Sequence, residues 1–337
     1  MNDLYERARN KTLIITEGNH EKFKLLKLIF LAFPEINIPE ENIVIYESNI
    51  YNLYNKVIDE YGDDWKEQDV DLPKCVAKWK SLDYQLTKHD FTNVILIFDY
   101  ERHDPNFSET IINEFQEYFC DMNDNGLLFI NYPMVEAYMN IDINNFDDYE
   151  NYCINSNIKK GVEYKSIVKN TEAYKAFSVL SKLSDNINEF IKDSVKAEEI
   201  AKQVLELSYS EELRQQMYSV FKTVLEEDIA NTMSYRYLSV LKRFNCIEIG
   251  ENYFDFIRKL FNKIIICNIK KAYKLQSDTF NIGTNLIKDI YFDELNLIDV
   301  LSKQNEASRD ITTGIIWILN TSIFIVANYK FFWKRIL

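Results

Sequence analysis

The stretch Asn93-Val94-Ile95-Leu96-Ile97-Phe98-Asp99-Tyr100-Glu101 decides the fold, and Thr12-Leu13-Ile14-Ile15-Thr16-Glu17-Gly18 repeats its design. Leu13–Thr16 and Val94–Phe98 are short, branched-apolar and uncharged, which predicts fully buried strands. Such strands suit the centre of a parallel sheet covered by helices on both faces. Each acid falls just past the carboxyl end of its strand, where open α/β sheets bind ligands. If the strands are neighbours, Glu17, Asp99 and Glu101 converge, and three carboxylates in one crevice repel each other unless a cation joins them. Oxygen-only ligands favour Mg²⁺ or Mn²⁺.

Outward from these strands, helix and strand alternate. Glu21–Phe33 has helical spacing closed by Pro34, Ile43–Tyr46 reads as a strand, and Tyr51–Tyr61 and Leu72–Lys88 as helices. Ser108–Met122 is an amphipathic helix with Ser108 as its N-cap, and Leu127–Ile130 is a fourth strand. Pro133 suits the first turn of a helix carrying Val135–Met139. The alternation predicts an α/β fold with a small parallel sheet over residues 1–140. The polar, Asn-rich stretch 141–163 reads as a linker, and 164–337 as a mostly helical domain that sets assembly with itself or a partner. Its expected helices are Glu172–Leu183, Ile187–Leu207, Glu211–Asn231, Tyr235–Phe244, Tyr253–Lys274 and Ile311–Arg335, with a strand candidate at Cys246–Ile249.

Composition narrows the function. A chain of 337 residues that is 47% hydrophobic buries a sizeable core. Its net charge of -14 argues against indiscriminate binding of polyanions. Two basic runs stand against it, Lys159–Lys175 and Arg236–Lys274, whose ordinary reading is solvated helix faces. The five cysteines are widely separated, so neither a zinc site nor a disulfide framework is expected. The polar start of the chain carries no signal peptide, and Ile311–Asn328 holds too many hydroxyl and amide side chains for a membrane span, so a buried helix and a cytoplasmic location are expected. Only 7 glycines occur, and no phosphate-binding loop, dinucleotide turn or nucleophile elbow is present.

At Glu17-Gly18 and Asp99-Tyr100-Glu101 the chain resembles a TOPRIM domain, with Glu101 standing where the family more often has a second Asp. The block Asn131-Tyr132-Pro133-Met134-Val135-Glu136 resembles a further acidic element of the TOPRIM effectors in bacterial phage defence, the OLD-type nucleases and the TOPRIM partner in PARIS-like systems. The resemblance covers roughly Thr12–Tyr138. It implies a metal-dependent, phosphodiester-cleaving endonuclease acting on DNA or RNA as an antiviral, abortive-infection effector. It also implies Mg²⁺ or Mn²⁺ held by Glu17, Asp99, Glu101 and Glu136, and a homo-oligomer triggered by a separate ABC-type ATPase sensor. Lys165 is the candidate for stabilising a phosphate oxygen.

Each of these residues also has an ordinary reading. Glu17 and Glu136 suit helix starts. Glu101 can pair with Arg102 or solvent, His103 and Asp104 read as solvated loop, and Lys165 as a surface lysine. Asp99 is the hardest to explain away, because a carboxylate at the end of a buried strand is costly without a partner. Two other functions stay open: a non-enzymatic TOPRIM-fold module for binding or sensing, which the acidic charge suits, and primase-like nucleotidyl transfer.

Overall fold

The computed structural model describes residues 11–36, 38–82, 86–244, 248–277 and 295–329. The first ten residues, part of the strand candidate Cys246–Ile249, residues 83–85 of the expected helix Leu72–Lys88 and the last residues of the expected helix Ile311–Arg335 lie outside them. Residues up to Val168 together with Ile264 onward form one compact unit, and Lys169–Lys263 form a second.

The first unit holds a five-stranded sheet built from β1 (Thr12–Thr16), β2 (Ile43–Ile45), β3 (Asn93–Asp99), β4 (Cys120–Asp121) and β5 (Gly126–Asn131), in the order β2-β1-β3-β5-β4. β1, β2, β3 and β5 run parallel, and only the edge strand β4 is antiparallel. The two apolar runs that suggested central strands are central, and β1 is buried throughout. Parallel neighbours need crossovers. These carry α1 (Lys27–Ala32), α2 (Ile50–Tyr61), α3 (Leu72–Trp79) and α4 (Glu109–Tyr118). Local chemistry sets their starts: Asn49, Asp71 and Ser108 each accept a backbone N–H from the first turn. α1 is preceded by a wider, π-wound turn at Glu21–Leu26, so the helix expected over Glu21–Phe33 is present in two windings. After β5, Val135–Met139 forms a 3₁₀ turn rather than a full helix, and Pro133 precedes it in a cis peptide.

The expected linker is structured. It contains a 3₁₀ turn (Asp147–Asn151) and β6 (Cys153–Asn155), and the short α5 (Lys165–Lys169) follows it.

The second unit is helical. It holds α6 (Glu172–Phe177), α7 (Val179–Ile191), α8 (Ser194–Leu205), α9 (Leu213–Phe221), α10 (Glu227–Arg243) and the start of α11 (Tyr253–Gln276). Breaks fall where the sequence reading ran helices on. Lys192 is left-handed at φ 55° and Asp193 caps α8, which splits the expected Ile187–Leu207. Glu226 is extended, so α10 starts there and absorbs the expected Tyr235–Phe244. Leu183, Ile187, Ala201, Val204, Met217, Phe221, Ile257 and Phe261 are fully buried. The Tyr253 hydroxyl donates to the Ala176 carbonyl at 2.8 Å.

From Ile264 the chain belongs to the first unit again, so the expected single cut between 140 and 164 is not where the chain divides. α12 (Leu297–Ser308) leads into β7 (Ile315–Trp317), which pairs antiparallel with β6. The apolar stretch expected as one buried helix, Ile311–Asn328, is instead a turn, a strand and the short α13 (Phe324–Ala327). From Ile318 to Ala327 it is buried as expected, whereas Ile311, Thr312 and Thr313 are exposed; the reason for its irregularity is chemical. Asn320, Thr321 and Ser322 are fully buried, and instead of building a helix of their own they donate to the Val135 carbonyl, the Ile130 carbonyl and Asn131 Oδ1. Among the described residues no helix is long and apolar enough to cross a membrane.

Candidate metal centre

β1 and β3 pair in register from Thr12↔Asn93 to Thr16↔Ile97, so their carboxyl ends lie side by side. The Glu17 N–H extends that ladder to the Ile97 carbonyl at 3.0 Å. Asp99 is the last residue of β3 and Glu101 lies two residues on, in the loop. The structure brings all three together: one carboxylate oxygen from each of Glu17, Asp99 and Glu101 lies within 4.8 Å of the others. Two of the acids are also oriented by the backbone. Glu17 Oε2 accepts from the Asp99 N–H at 3.0 Å, and Asp99 Oδ1 accepts from the Val135 N–H at 2.8 Å. Asp99 is 6% exposed, so it sits at the floor, with Glu17 and Glu101 half-buried above it.

The cluster opens into a cavity of about 800 Å³ lined by six carboxylates, Glu17, Glu21, Asp99, Glu101, Asp104 and Glu136, and by His20, His103, Lys159 and Lys165. Glu136 does not join the cluster of three. Its Oε1 lies 3.1 Å from Lys165 Nζ and 3.3 Å from His20 Nδ1. It is 4% exposed, and its Oε2 has no hydrogen-bond partner among the described residues. Glu136 therefore forms a mixed-charge group on the cavity wall, and Lys165, read as either a phosphate contact or a surface lysine, is its partner. His103 and Asp104 line the cavity, and Asp104 accepts from the Asn49 amide at 2.6 Å.

Sequence reasoning missed His20 and Glu21. Burial pushes the Glu21 carboxyl up, with Glu136 adding to the rise and Lys165 and two backbone hydrogen bonds opposing it. Burial pulls His20 down to about 4 against the raising effect of Glu136, so its imidazole is neutral at pH 7. The signal for Glu21 was present: it follows Glu17 by four residues where a helical turn begins. Gly18, by contrast, is not demanded by space, since a Cβ there would meet only Glu21 Oε2 at an ordinary 3.5 Å.

The loop carrying Glu101 is pinned from behind. The buried Tyr100 hydroxyl donates to Asn305 Oδ1 at 2.8 Å and lies 2.9 Å from Ser308 Oγ. Arg102 does not turn back on Glu101; it donates to the carbonyls of Ser308 and Arg309 at the end of α12 and covers the Phe107 ring. The end of β5 is held in the same way, because Ser322 donates to Asn131 Oδ1 at 2.8 Å and Asn320 to the Val135 carbonyl at 2.7 Å. Residues beyond 295 thus support the site directly, although no sequence signal connected them to it.

The donor set fits a hard divalent cation. It is all oxygen, concentrated, and fed by the carboxyl ends of two adjacent parallel strands. No family model, no curated protein and no solved structure matches this chain.

Proposed function

We propose that this chain is a metal-dependent enzyme that cleaves phosphodiester bonds in nucleic acid, built on a TOPRIM-like sheet. The observation that carries the reading is the meeting of Glu17, Asp99 and Glu101 within 4.8 Å at two neighbouring strand ends. Glu17, Asp99 and Glu101 would hold Mg²⁺ or Mn²⁺, which supplies positive charge to the phosphate oxygens and acidifies a bound water. The residues themselves do the positioning. Asp99 is locked by the Val135 N–H and Glu17 by the Asp99 N–H, so little reorganisation accompanies the reaction. Lys165 stands on the cavity wall, oriented by Glu136, where its ammonium meets a phosphate oxygen.

The six carboxylates of the cavity repel an approaching phosphate, which supports a role for a partner in delivering substrate. A separate ABC-type ATPase as that partner, a homo-oligomeric assembly and a part in antiviral defence follow from the resemblance to TOPRIM effectors.

The test is cleavage of supercoiled plasmid and of structured RNA by the purified chain, in Mn²⁺, in Mg²⁺ and in EDTA. Cutting that needs the divalent ion and is lost in Glu17→Gln and Asp99→Ala, with unchanged circular dichroism, supports the proposal. Cutting that survives in both variants refutes it. Tight Mn²⁺ binding without cutting, alone or in cell extract, favours the non-enzymatic binding module that the net charge of -14 suits.

A further inference from the structure

A second cavity of about 380 Å³ lies beside β2, and it differs in every respect from the metal centre. Its walls carry two aromatic rings (Tyr46, Trp79), two amides (Asn52, Asn55) and two lysines (Lys56, Lys80), with Asp59 as the one acid of the lining. Tyr46 and Trp79 meet edge to face, with ring centroids 6.5 Å apart. Tyr46 is buried and forms the base, while Trp79 is only half-buried. Asn52, Asn55 and Lys56 follow one another at helical spacing on α2, so one face of that helix is turned to the cleft. Lys56 Nζ lies 6.0 Å from the centre of the Trp79 ring, and among the described residues it makes no ion pair. Nor does the Asn55 amide make a hydrogen bond among them. Lys80 pairs with the exposed Glu47.

The position of this cleft matters as much as its lining. The Tyr46 N–H donates to the Thr16 carbonyl at 2.8 Å, and the next residue, Glu47, donates to the Glu17 carbonyl at 2.9 Å. The floor of the cleft is therefore bonded to the strand end that carries Glu17. Asn49, the cap of α2, reaches Asp104 of the metal cavity at 2.6 Å. The two cavities are consecutive along one sheet edge: one is acidic, the other is aromatic and basic.

We propose that the cleft is a nucleobase subsite, which takes one nucleotide of a single strand that leads to the metal centre. The base stacks on Trp79, its polar edge meets Asn52 and Asn55, and its phosphate meets Lys56. A volume near the lower end of small-molecule sites, about 300 Å³, suits one nucleotide rather than a duplex. Stacking on an aromatic face next to a cation is the sequence-tolerant way to hold single strands. Burial lifts the Tyr46 hydroxyl to about 12, so it is a neutral hydrogen-bonding group at the base of the cleft. The inference rests on the phosphodiester reading of the metal centre.

The experiment uses the full chain in EDTA, so that nothing is cut. The affinity of dye-labelled single-stranded dT6 is read by anisotropy, and that of thymidine 5′-monophosphate by calorimetry. Trp79→Ala weakens dT6 binding about tenfold or more, the contribution of one stacked base, and Trp79→Phe recovers most of it. Lys56→Gln weakens binding and lowers the salt slope by about 1. Glu17→Gln leaves dT6 binding intact, which separates this subsite from the metal centre. Equal dT6 affinity in wild type, Trp79→Ala and Lys56→Gln overturns the subsite while leaving the cleavage reading standing. Monophosphate binding that depends on Trp79, in a chain that cuts no nucleic acid, keeps the nucleotide site and removes the cleavage reading. No binding of either probe overturns the subsite.

Discussion

The Asn320 side-chain amide donates to the Val135 carbonyl at 2.7 Å, and the Val135 N–H donates to Asp99 Oδ1 at 2.8 Å. A residue near the end of the described chain thus holds, from its other side, the residue whose N–H holds the central carboxylate of the candidate metal centre. Asn320 is fully buried and also receives the N–H of Ile323. Asn320→Ala leaves these groups unpaired, at about 1–3 kcal/mol each. The expected result is a lower melting temperature and weaker Mn²⁺ binding in the folded variant, measured below the transition by titration. An unchanged Mn²⁺ affinity would restrict Asn320 to supporting the fold.

The three carboxylates oppose one another in the absence of a cation. Glu101→Gln removes one charge from the cluster without removing its bulk. Because Glu101 is half-exposed, the relief is modest, about 1 kcal/mol, and thermal unfolding in EDTA should show the variant as more stable than wild type. Adding millimolar Mn²⁺ should reverse the order, raising the wild type strongly and the variant little. If Mn²⁺ raises both equally, the ion binds elsewhere.

Lys271 supplies a pH dependence independent of the candidate site. It is fully buried, donates to the carbonyls of Tyr149 and Tyr152, and lies 4.5 Å from the Tyr149 ring centre. Burial nevertheless pulls its ammonium down from 10.5 to about 7. Between these values the unfolded chain binds a proton that the folded chain does not. This contribution to stability is therefore complete above pH 10.5 and lost as pH falls toward about 7, with a slope of at most about 1.4 kcal/mol per pH unit. Lys271→Met removes that slope, and both carbonyls keep a backbone donor, from Tyr152 and Ile318. Urea unfolding of wild type and variant at pH 7 and pH 9.5 checks it; parallel pH profiles would contradict the assignment.

Gly314 is placed by close approach. A Cβ there would lie 2.3 Å from the Asp310 carbonyl oxygen and 2.8 Å from that of Ala307. Gly314→Ala must displace the end of α12 or the start of β7, at about 1–3 kcal/mol. Because α12 pins Tyr100 and Arg102, Mn²⁺ binding should weaken along with stability. Differential scanning calorimetry with and without Mn²⁺ checks both; a melting temperature equal to wild type would show that the turn yields freely.

The centre of this molecule was legible in its residues alone. Branched apolar runs with no charge must be enclosed on both faces, so β1 and β3 were readable as central strands, and an acid after each had to emerge at one edge of the sheet. Glu17, Asp99 and Glu101 were accordingly legible as a group. Their surroundings, by contrast, arise only when distant segments fold together. Glu136 was readable as an acid near the site, but its pairing with Lys165 and His20 depends on where three separate segments meet. Asn320 and Ser322 read only as polar interruptions in an apolar stretch, and Asn305 carried no signal, because hydrogen-bond partners about 200 residues away leave no periodicity in the local sequence. Local patterning records which face of a segment is buried; it does not record which distant carbonyl or carboxylate that face will meet.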